Sequence, residues 1–357
     1  MRVLFDYQAF ITPVCGISRY HVELIKNFSE DIIAMFPFMF GDNLCLNEIG
    51  VQHCSFLNHK HLSFKYNLYK ALDIGLSRLA MSKNNFDIFH PTSMNPYFLD
   101  HSKKPLVLTV HDLNFSRFGD LLPNASSVQN KYRLCCAKAD HLIAISEETK
   151  LDLMKYFNVP DNKITVIYHG VDQSLIKCGS NPIYKNPYIL YIGGRDTYKN
   201  FANFLQAFSM IDENIELVCT SYSFNNYERE LINKLNLSNR IHQKFATDED
   251  LNNLLCHALA FIYPSLGEGF GLPILEAYRC GCPCIISDIM CFHEVAGDAA
   301  VYFNQKSVDD MATVINRTIS DCAMLTRMKE LGYNRMKLFT WKKTAFQTES
   351  VYKNVLQ

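Results

Sequence analysis

The sequence predicts two doubly wound parallel α/β sheets, and three observations carry that expectation. The chain has 357 residues, more than one hydrophobic core usually supports, so two domains are the default. Short apolar runs alternate with helix-period segments from end to end, the pattern by which crossover helices build parallel sheets. One interval, Asp172 to Asn186, loses that periodicity and carries Gly179, Ser180 and Pro182, which marks a linker. The expected organisation is an N-terminal domain over 1–172, a second domain over 187–340 and a C-terminal helix over 341–357.

Each element follows from local pattern. In the first half the strand candidates are Val3 to Asp6, Ile32 to Phe40, Phe86 to His90, Leu106 to His111, His141 to Ile145 and Ile164 to Tyr168. In the second they are Tyr188 to Ile192, Ile215 to Cys219, Ile241 to Phe245, Leu259 to Tyr263, Cys284 to Ser287 and Ala300 to Phe303. Trp341 to Leu356 reads as an amphipathic helix, with Ala345, Thr348, Val351, Tyr352 and Val355 on one face. Such sheets bind ligands outside the carboxyl ends of their strands. The residues just past each apolar run are therefore the candidates for a site, in a cleft on which both domains open.

Composition narrows the class. A formal net charge of -1 with 20% charged residues argues against a dedicated nucleic-acid binder. No window approaches the roughly twenty uninterrupted apolar residues of a membrane span. The strand-like Arg2 to Tyr7 has no signal peptide ahead of it, so a cytoplasmic location is expected, with the thirteen cysteines as reduced thiols. Cys280, Cys282 and Cys284 lack the usual metal-ligand spacing and read as small buried hydrophobes.

The segment Phe261 to Asp288, FIYPSLGEGFGLPILEAYRCGCPCIISD, is the most informative. It reads as strand, Gly-rich corner, helix and strand. Gly267, Gly269 and Gly271 permit positive φ and close backbone approach, and Pro273 suits a helix start near Leu272. The free amides and positive dipole end of that helix make the corner an anion site. Glu268 and Glu276 would repel a phosphate, so they must serve another part of the ligand. Ionised carboxylates accept hydrogen bonds from hydroxyls, and phosphate plus polyhydroxyl describes a sugar nucleotide.

Glu268 and Glu276, in GEGFGLPILEA, resemble the E-x7-E motif of retaining GT-B glycosyltransferases, closest to the family four (group 1) type. The resemblance implies two Rossmann-like domains facing across a cleft, with the C-terminal helix crossing back to the N-terminal one. It also implies that Glu268 contacts donor-sugar hydroxyls and Glu276 the nucleotide ribose, with Gly269, Phe270, Gly271 and Leu272 completing the donor loop. In YILYIGGRDTYKNFANFLQAF, Arg195 and Lys199 crowd the positive end of a helix, where cations are disfavoured unless an anion is present. The same positions contact the donor diphosphate in the family. Pro13 to Tyr20 resembles the family's GGIxRY loop with Cys15 in place of the first Gly. Gly16 would offer its N–H to the leaving phosphate, and Ser18 suits a helix cap.

LVLTVHD resembles the family's TxHD segment, which implies that His111 bonds a sugar hydroxyl. Ser146, Glu147 and His169 stand at equivalent strand ends, and the family usually has Asn where His169 is. Asp248, Glu249 and Asp250 read as first-turn acids behind an N-cap at Thr247, so no metal is assigned. The expected activity is retaining transfer of a hexosyl unit to a glycan or lipid-linked glycan, without a cofactor and with the nucleotide diphosphate sugar as donor. The GISRY loop resembles bacterial mannosyltransferases that use GDP-mannose for surface polysaccharide. A UDP-hexose transferase and a sugar-nucleotide epimerase of the same fold share these motifs. Ser63 to Asn85 places Lys65, Lys70, Arg78 and Lys83 among apolar residues with one acid, Asp73. That pattern suits either a peripheral contact with an anionic membrane or a helix packed on the first domain.

Overall fold

The computed structural model describes residues 1–12, 15–55, 62–101 and 103–357, with the backbone alone for residues 62–64. Pro13 and Val14 of the GGIxRY-like loop, and the side chains of Ser63 and Phe64, lie outside the described residues. The chain divides into two compact units, one of residues 1–119, 123–170 and 341–357, the other of residues 120–122 and 171–340.

The first unit contains strands β1 (Arg2–Leu4), β2 (Ile33–Met35), β3 (Met39–Phe40), β4 (His53–Cys54), β5 (Ile88–Phe89), β6 (Val107–Val110), β7 (His141–Ala144) and β8 (Ile164–Val166). Its helices are α1 (Gly16–Lys26), α2 (Leu62–Ser82), α3 (Asn114–Arg117), α4 (Ala125–Lys138) and α5 (Glu147–Phe157). Two parallel sheets, ordered β2-β1-β5 and β6-β7-β8, are joined by a bridge between Phe89 and Leu106. The apolar run Ile32 to Phe40 is divided between β2 and β3 on either side of Pro37, and β3 pairs with β4. Proline cannot donate to a ladder, which accounts for the break.

The C-terminal helix, labelled last in chain order, covers Trp341–Val355 and belongs to this first unit. Its Val351 and Tyr352 enter the core formed by Val3, Phe5, Ile88, Val107 and Ile143. Glu349 accepts from both the amide and the hydroxyl of Ser29 (2.7 and 2.8 Å), tying it to the segment after α1.

Helix α2 corrects part of the basic-segment expectation. Lys65 is buried and paired with Asp42, and Tyr69, Asp73 and Ser77 are buried on the same side. Residues four apart lie on one helix face, so a mixed seam faces the unit, with Lys65, Asp73 and Ser77 interleaved with Tyr69 and Met81 and with Ile74 packed on the core beside it. Lys70, Arg78 and Lys83 remain exposed, beside Leu72 (37% exposed) and Leu79 (55%). Among the described residues, no helix is long and apolar enough to cross a membrane.

The second unit contains β9 (Tyr188–Tyr191), α6 (Phe201–Phe208), β10 (Glu216–Thr220), α7 (Asn226–Lys234), β11 (Ile241–Lys244), α8 (Asp248–His257), β12 (Ala260–Tyr263) and α9 (Leu272–Arg279). There follow β13 (Cys284–Ser287), α10 (Met290–Ala296), β14 (Ala300–Phe303), α11 (Val308–Ile319) and α12 (Cys322–Met336), so the C-terminal helix is α13. Six parallel strands run in the order β11-β10-β9-β12-β13-β14. That is the doubly wound order in which winding reverses between the first and fourth strands, here β9 and β12. Phe204, Leu205 and Phe208 of α6 fill the core on one side with Leu217, Ile262 and Ile315.

Two further expectations are modified here. Cys178 and Cys256 form a disulfide, so the reading of every cysteine as a free thiol does not hold. The bond joins the segment preceding β9 to α8. Cys280, Cys282 and Cys284 are buried at 3%, 1% and 0% exposure, and burial raises all three thiol pKa values.

Candidate functional site

Pairing of β9 with β12 sets Ile262 opposite Tyr191, so the loops leaving these two strands emerge side by side at the switch point. After β9 the chain turns through Gly193, whose φ of +100° favours glycine. The Gly193 amide donates to Thr220 Oγ1 (3.1 Å), and the Tyr191 hydroxyl donates to the Gly194 carbonyl (2.8 Å). A single 3-10 turn, Thr197–Lys199, then leads into α6 through Asn200. The Leu266 amide donates to the Tyr198 carbonyl (2.8 Å), which fastens the Gly-rich corner to this turn.

Within that frame Lys199 Nζ donates to Glu268 Oε1 at 2.7 Å. Both side chains are largely sheltered, at 18% and 10% exposure. The Lys199 ammonium also lies over the rings of Tyr198 (5.2 Å) and Tyr263 (5.6 Å). Burial, and next the Glu268 carboxylate, hold the Tyr263 phenol well above its usual pKa. Cys291 Sγ donates to the Glu268 carbonyl (3.4 Å), securing the loop from behind.

Of the three corner glycines, Gly271 alone has positive φ, at +112°. The requirement at Gly267 and Gly269 is not conformational. A Cβ at Gly271 would stand 3.1 Å from Ile274 Cδ1 and 3.2 Å from the Phe292 ring. Gly271 is the N-cap of α9, Leu272 its first residue and Pro273 its second. The helix thus opens at the corner; Pro273 has no N–H and the Ile274 amide donates to the Gly271 carbonyl (2.9 Å), so of the first three residues only Leu272 has an amide without an acceptor within the helix. Phe270 turns its ring into the unit, 5.9 Å from Phe339, so only its backbone borders the loop. Glu276 is half-buried, one turn beyond Leu272 on α9, whose Ile274, Leu275, Ala277 and Tyr278 face the core.

Arg195 departs from expectation. Its Nε donates to Glu228 Oε1 (3.0 Å), Nη1 to the Thr220 carbonyl (3.3 Å), and Nη2 to the carbonyls of Tyr222 (2.5 Å) and Ser223 (3.1 Å). Its side chain is 6% exposed. The guanidinium is directed at its own unit and not outward at a phosphate. Asp248 and Glu249 occupy the first turn of α8, and Asp250 completes a capping box with Thr247. Among the described residues no group of three or more His, Cys, Asp or Glu is arranged to hold a metal ion.

In the first unit, α1 starts at Gly16, and a Cβ there would meet nothing within 4 Å. The cap is Cys15: its Sγ accepts from the Ser18 amide, and Ser18 Oγ accepts from the Cys15 amide (both 3.3 Å). Ser18 is therefore the third helical residue of a capping box and not the cap itself.

His111 follows β6 and packs edge-on against Tyr20, ring centroids 4.9 Å apart. Its Nε2 is buried without a hydrogen-bond partner in the protein. Burial pushes its pKa down to about 4, so the ring is neutral at pH 7 and has hydrogen-bonding capacity for a hydroxyl. The sequence reading missed the company it keeps. His21 of α1, His90 after β5 and His169 after β8 join it around Tyr20. His90 Nδ1 is 2.6 Å from the Tyr352 hydroxyl and Nε2 is 3.0 Å from Thr109 Oγ1. Burial lowers its pKa to about 3, and those of His21 and His169 are also held well below 6.5 by burial first and neighbouring histidines second. The position of His90 at a strand end was a signal of the kind that identified His111; His21, on a helix face, gave none.

Comparison with known proteins agrees with this geometry. Residues 16–175 match the model described as Glycosyltransferase Family 4, and residues 176–335 the model described as Glycosyl transferases group 1. The O-antigen chain mannosyltransferase B of Escherichia coli is 24% identical over 99% of this chain and 100% of its own length. The O-antigen chain mannosyltransferase RfbU of Salmonella typhimurium is 28% identical over 55% of this chain and 56% of its own. Among solved structures, Anabaena HepE in complex with UDP and glucose superposes with a TM-score of 0.78 at 16% identity, covering 99% of each chain. Two parallel-sheet Rossmann-like units, matched in turn by these two models over residues 16–335, mean that the chain belongs to the group 1, family 4 glycosyltransferases of GT-B fold.

Proposed function

We propose that this glycosyltransferase moves a mannosyl unit from GDP-mannose to a hydroxyl of a glycan or lipid-linked glycan, with retention at the anomeric carbon. One observation carries the reading: the sheltered Lys199–Glu268 pair stands at the switch point beside the opening of α9. A cation and a helix N-terminus suit the departing diphosphate, while a carboxylate suits sugar hydroxyls. The anomeric C–O bond to the diphosphate breaks, a C–O bond to the acceptor forms, and the acceptor proton passes to a phosphate oxygen. Lys199 and the Leu272 amide at the start of α9 meet the charge left on the diphosphate. Glu268 orients the sugar and Glu276 holds the ribose. We assign His111 to a sugar hydroxyl and the Gly16 amide to the leaving phosphate.

Mannose is favoured by the sugar that the similar O-antigen mannosyltransferases are named for. A UDP-hexose donor is the second reading, favoured by the fold shared with a protein solved with UDP and glucose. The acceptor reading places the enzyme in the cytoplasm beside a membrane, with Lys70, Arg78 and Lys83 of the α2 region toward anionic lipid.

A thermal-shift screen of GDP- and UDP-sugars, followed by product analysis, tests the proposal. A ligand at a hundred times its dissociation constant stabilises by about 2.7 kcal/mol. GDP-mannose is expected to give the largest shift, and the product to retain the α configuration. Isomerisation of the donor without acceptor identifies an epimerase instead.

A further inference from the structure

Arg195 spends its donor fork on four acceptors of its own unit: Glu228 and the carbonyls of Thr220, Tyr222 and Ser223. The guanidinium also lies beside a pair of stacked rings, with Phe201 at 5.6 Å and Phe224 at 4.9 Å from its central carbon. Its carboxylate partner is anchored in turn. Glu228, 6% exposed, accepts from the Asn225 amide (2.8 Å) and donates its own amide to Asn225 Oδ1 (2.9 Å), forming the capping box of α7.

What this network encloses is the loop from the end of β10 to α7. Ser221 in that loop has φ of +85°, a left-handed conformation costly for a residue with a Cβ. Such strain persists only where surrounding contacts over-determine it, and it clusters at ligand sites. Here Arg195 holds the carbonyls on either side of Ser221, Gln243 Nε2 donates to the Ser221 carbonyl, and the Gly193 amide holds Thr220 Oγ1. Residues 220–224 are thereby bonded directly to the switch-point turn after β9.

We infer that Arg195 is a positioning residue: it locks residues 220–224, with strained Ser221, along the β9–β10 side of the switch-point crevice and acts on the nucleoside half of the donor through that loop. The inference rests on the donor reading above for its ligand, and on the four-acceptor geometry alone for its mechanism. A lysine cannot replace the fork, because its ammonium has three donors radiating from one point and no planar face to stack.

The test compares wild type, Arg195→Ala and Arg195→Lys as full chains. Without ligand, amide hydrogen exchange across residues 221–226 should accelerate in both variants, while exchange in β12 and β13 and cooperative thermal unfolding persist. With ligand, both variants should bind GDP or UDP on the order of tenfold more weakly, the loss expected from removing charge-assisted hydrogen bonds. Inhibition by inorganic pyrophosphate should change little, and the donor KM should rise more than kcat falls.

Unchanged exchange in Arg195→Ala overturns the inference. So does restoration of nucleotide affinity by Arg195→Lys, or an equal loss for pyrophosphate, because either result makes Arg195 a phosphate contact. Failure of the wild type to bind any nucleotide sugar would overturn the donor reading, and the exchange result would still decide the positioning role.

Discussion

Replacing His90 with Asn should change the pH dependence of stability by about as much as it changes stability itself. His90 is fully buried between Tyr352 and Thr109, and its pKa is lowered to about 3 by burial first and His111 second. The unfolded histidine takes up its proton near pH 6.5 and the native one only near 3. Between those values the unfolded state binds more protons, so stability is lost as pH falls through that window. At pH 5 the difference amounts to about 2 kcal/mol for this one group, at 1.36 kcal/mol per unit of pKa difference.

At pH 8 the His90→Asn protein should be less stable than wild type by roughly 1–3 kcal/mol, the cost of disturbing two buried hydrogen bonds. At pH 5 the wild type has lost about 2 kcal/mol of its His90 contribution, and the gap should close by that amount. Asp6 and Asp73 act in the opposite sense, because burial raises their carboxyl pKa values, to about 7 for Asp73. They titrate in both proteins and cancel from the difference. Urea unfolding followed by fluorescence gives the measurement, since the one tryptophan, Trp341, lies 6.0 Å from both Tyr20 and His169 and reports on the first unit. A gap equal at pH 8 and pH 5, within about 0.5 kcal/mol, refutes the account.

Three other outcomes are expected. Glu268→Gln should cut turnover while GDP or UDP alone still binds, whereas Glu276→Gln should weaken the nucleotide itself; calorimetry with both variants distinguishes them, and identical losses would sink the division of roles. Activity should survive excess EDTA, and abolition by EDTA with recovery in magnesium or manganese would show that a metal is required. The protein should cosediment with anionic but not zwitterionic vesicles at low salt, with release as salt screens the attraction. Lys70→Glu with Arg78→Glu should reduce that binding at unchanged donor affinity, and absence of binding to anionic vesicles leaves α2 as a packing helix.

The sequence was informative where physical constraint is local. Parallel strands buried on both faces must be continuously apolar, so runs such as CIIS and AFIY mark β13 and β12 and locate the polar residues at their ends. The positions of Glu268, Lys199 and His111 past the ends of β12, β9 and β6 were legible for that reason. Arg195 was not, because its local context, a cation near a helix start, is compatible with either an anion outside or a carboxylate inside. Only the tertiary path brings Glu228 and the 220–224 carbonyls within reach. Lys65 illustrates the same limit: helical spacing put it in a basic face, and burial against Asp42 removed it. The Cys178–Cys256 bond spans 78 residues and carries no local signal.

On the proposed donor reading, the Lys199–Glu268 pair would give the site a selectivity that neither residue supplies alone. Each charge compensates the other, so a sheltered carboxylate is tolerated at 10% exposure. A diphosphate near Lys199 competes with Glu268 for the same ammonium and leaves the carboxylate short of donors. Sugar hydroxyls can make up that loss, because an ionised carboxylate accepts from several donors at once. Diphosphate and sugar are therefore favoured together more than either is alone. After transfer the sugar no longer accompanies the diphosphate, and Glu268 can draw Lys199 back, which loosens the nucleotide. On that reading, Glu268→Gln removes this coupling between sugar and diphosphate and leaves Lys199 for the nucleotide, so turnover should fall while GDP or UDP still binds.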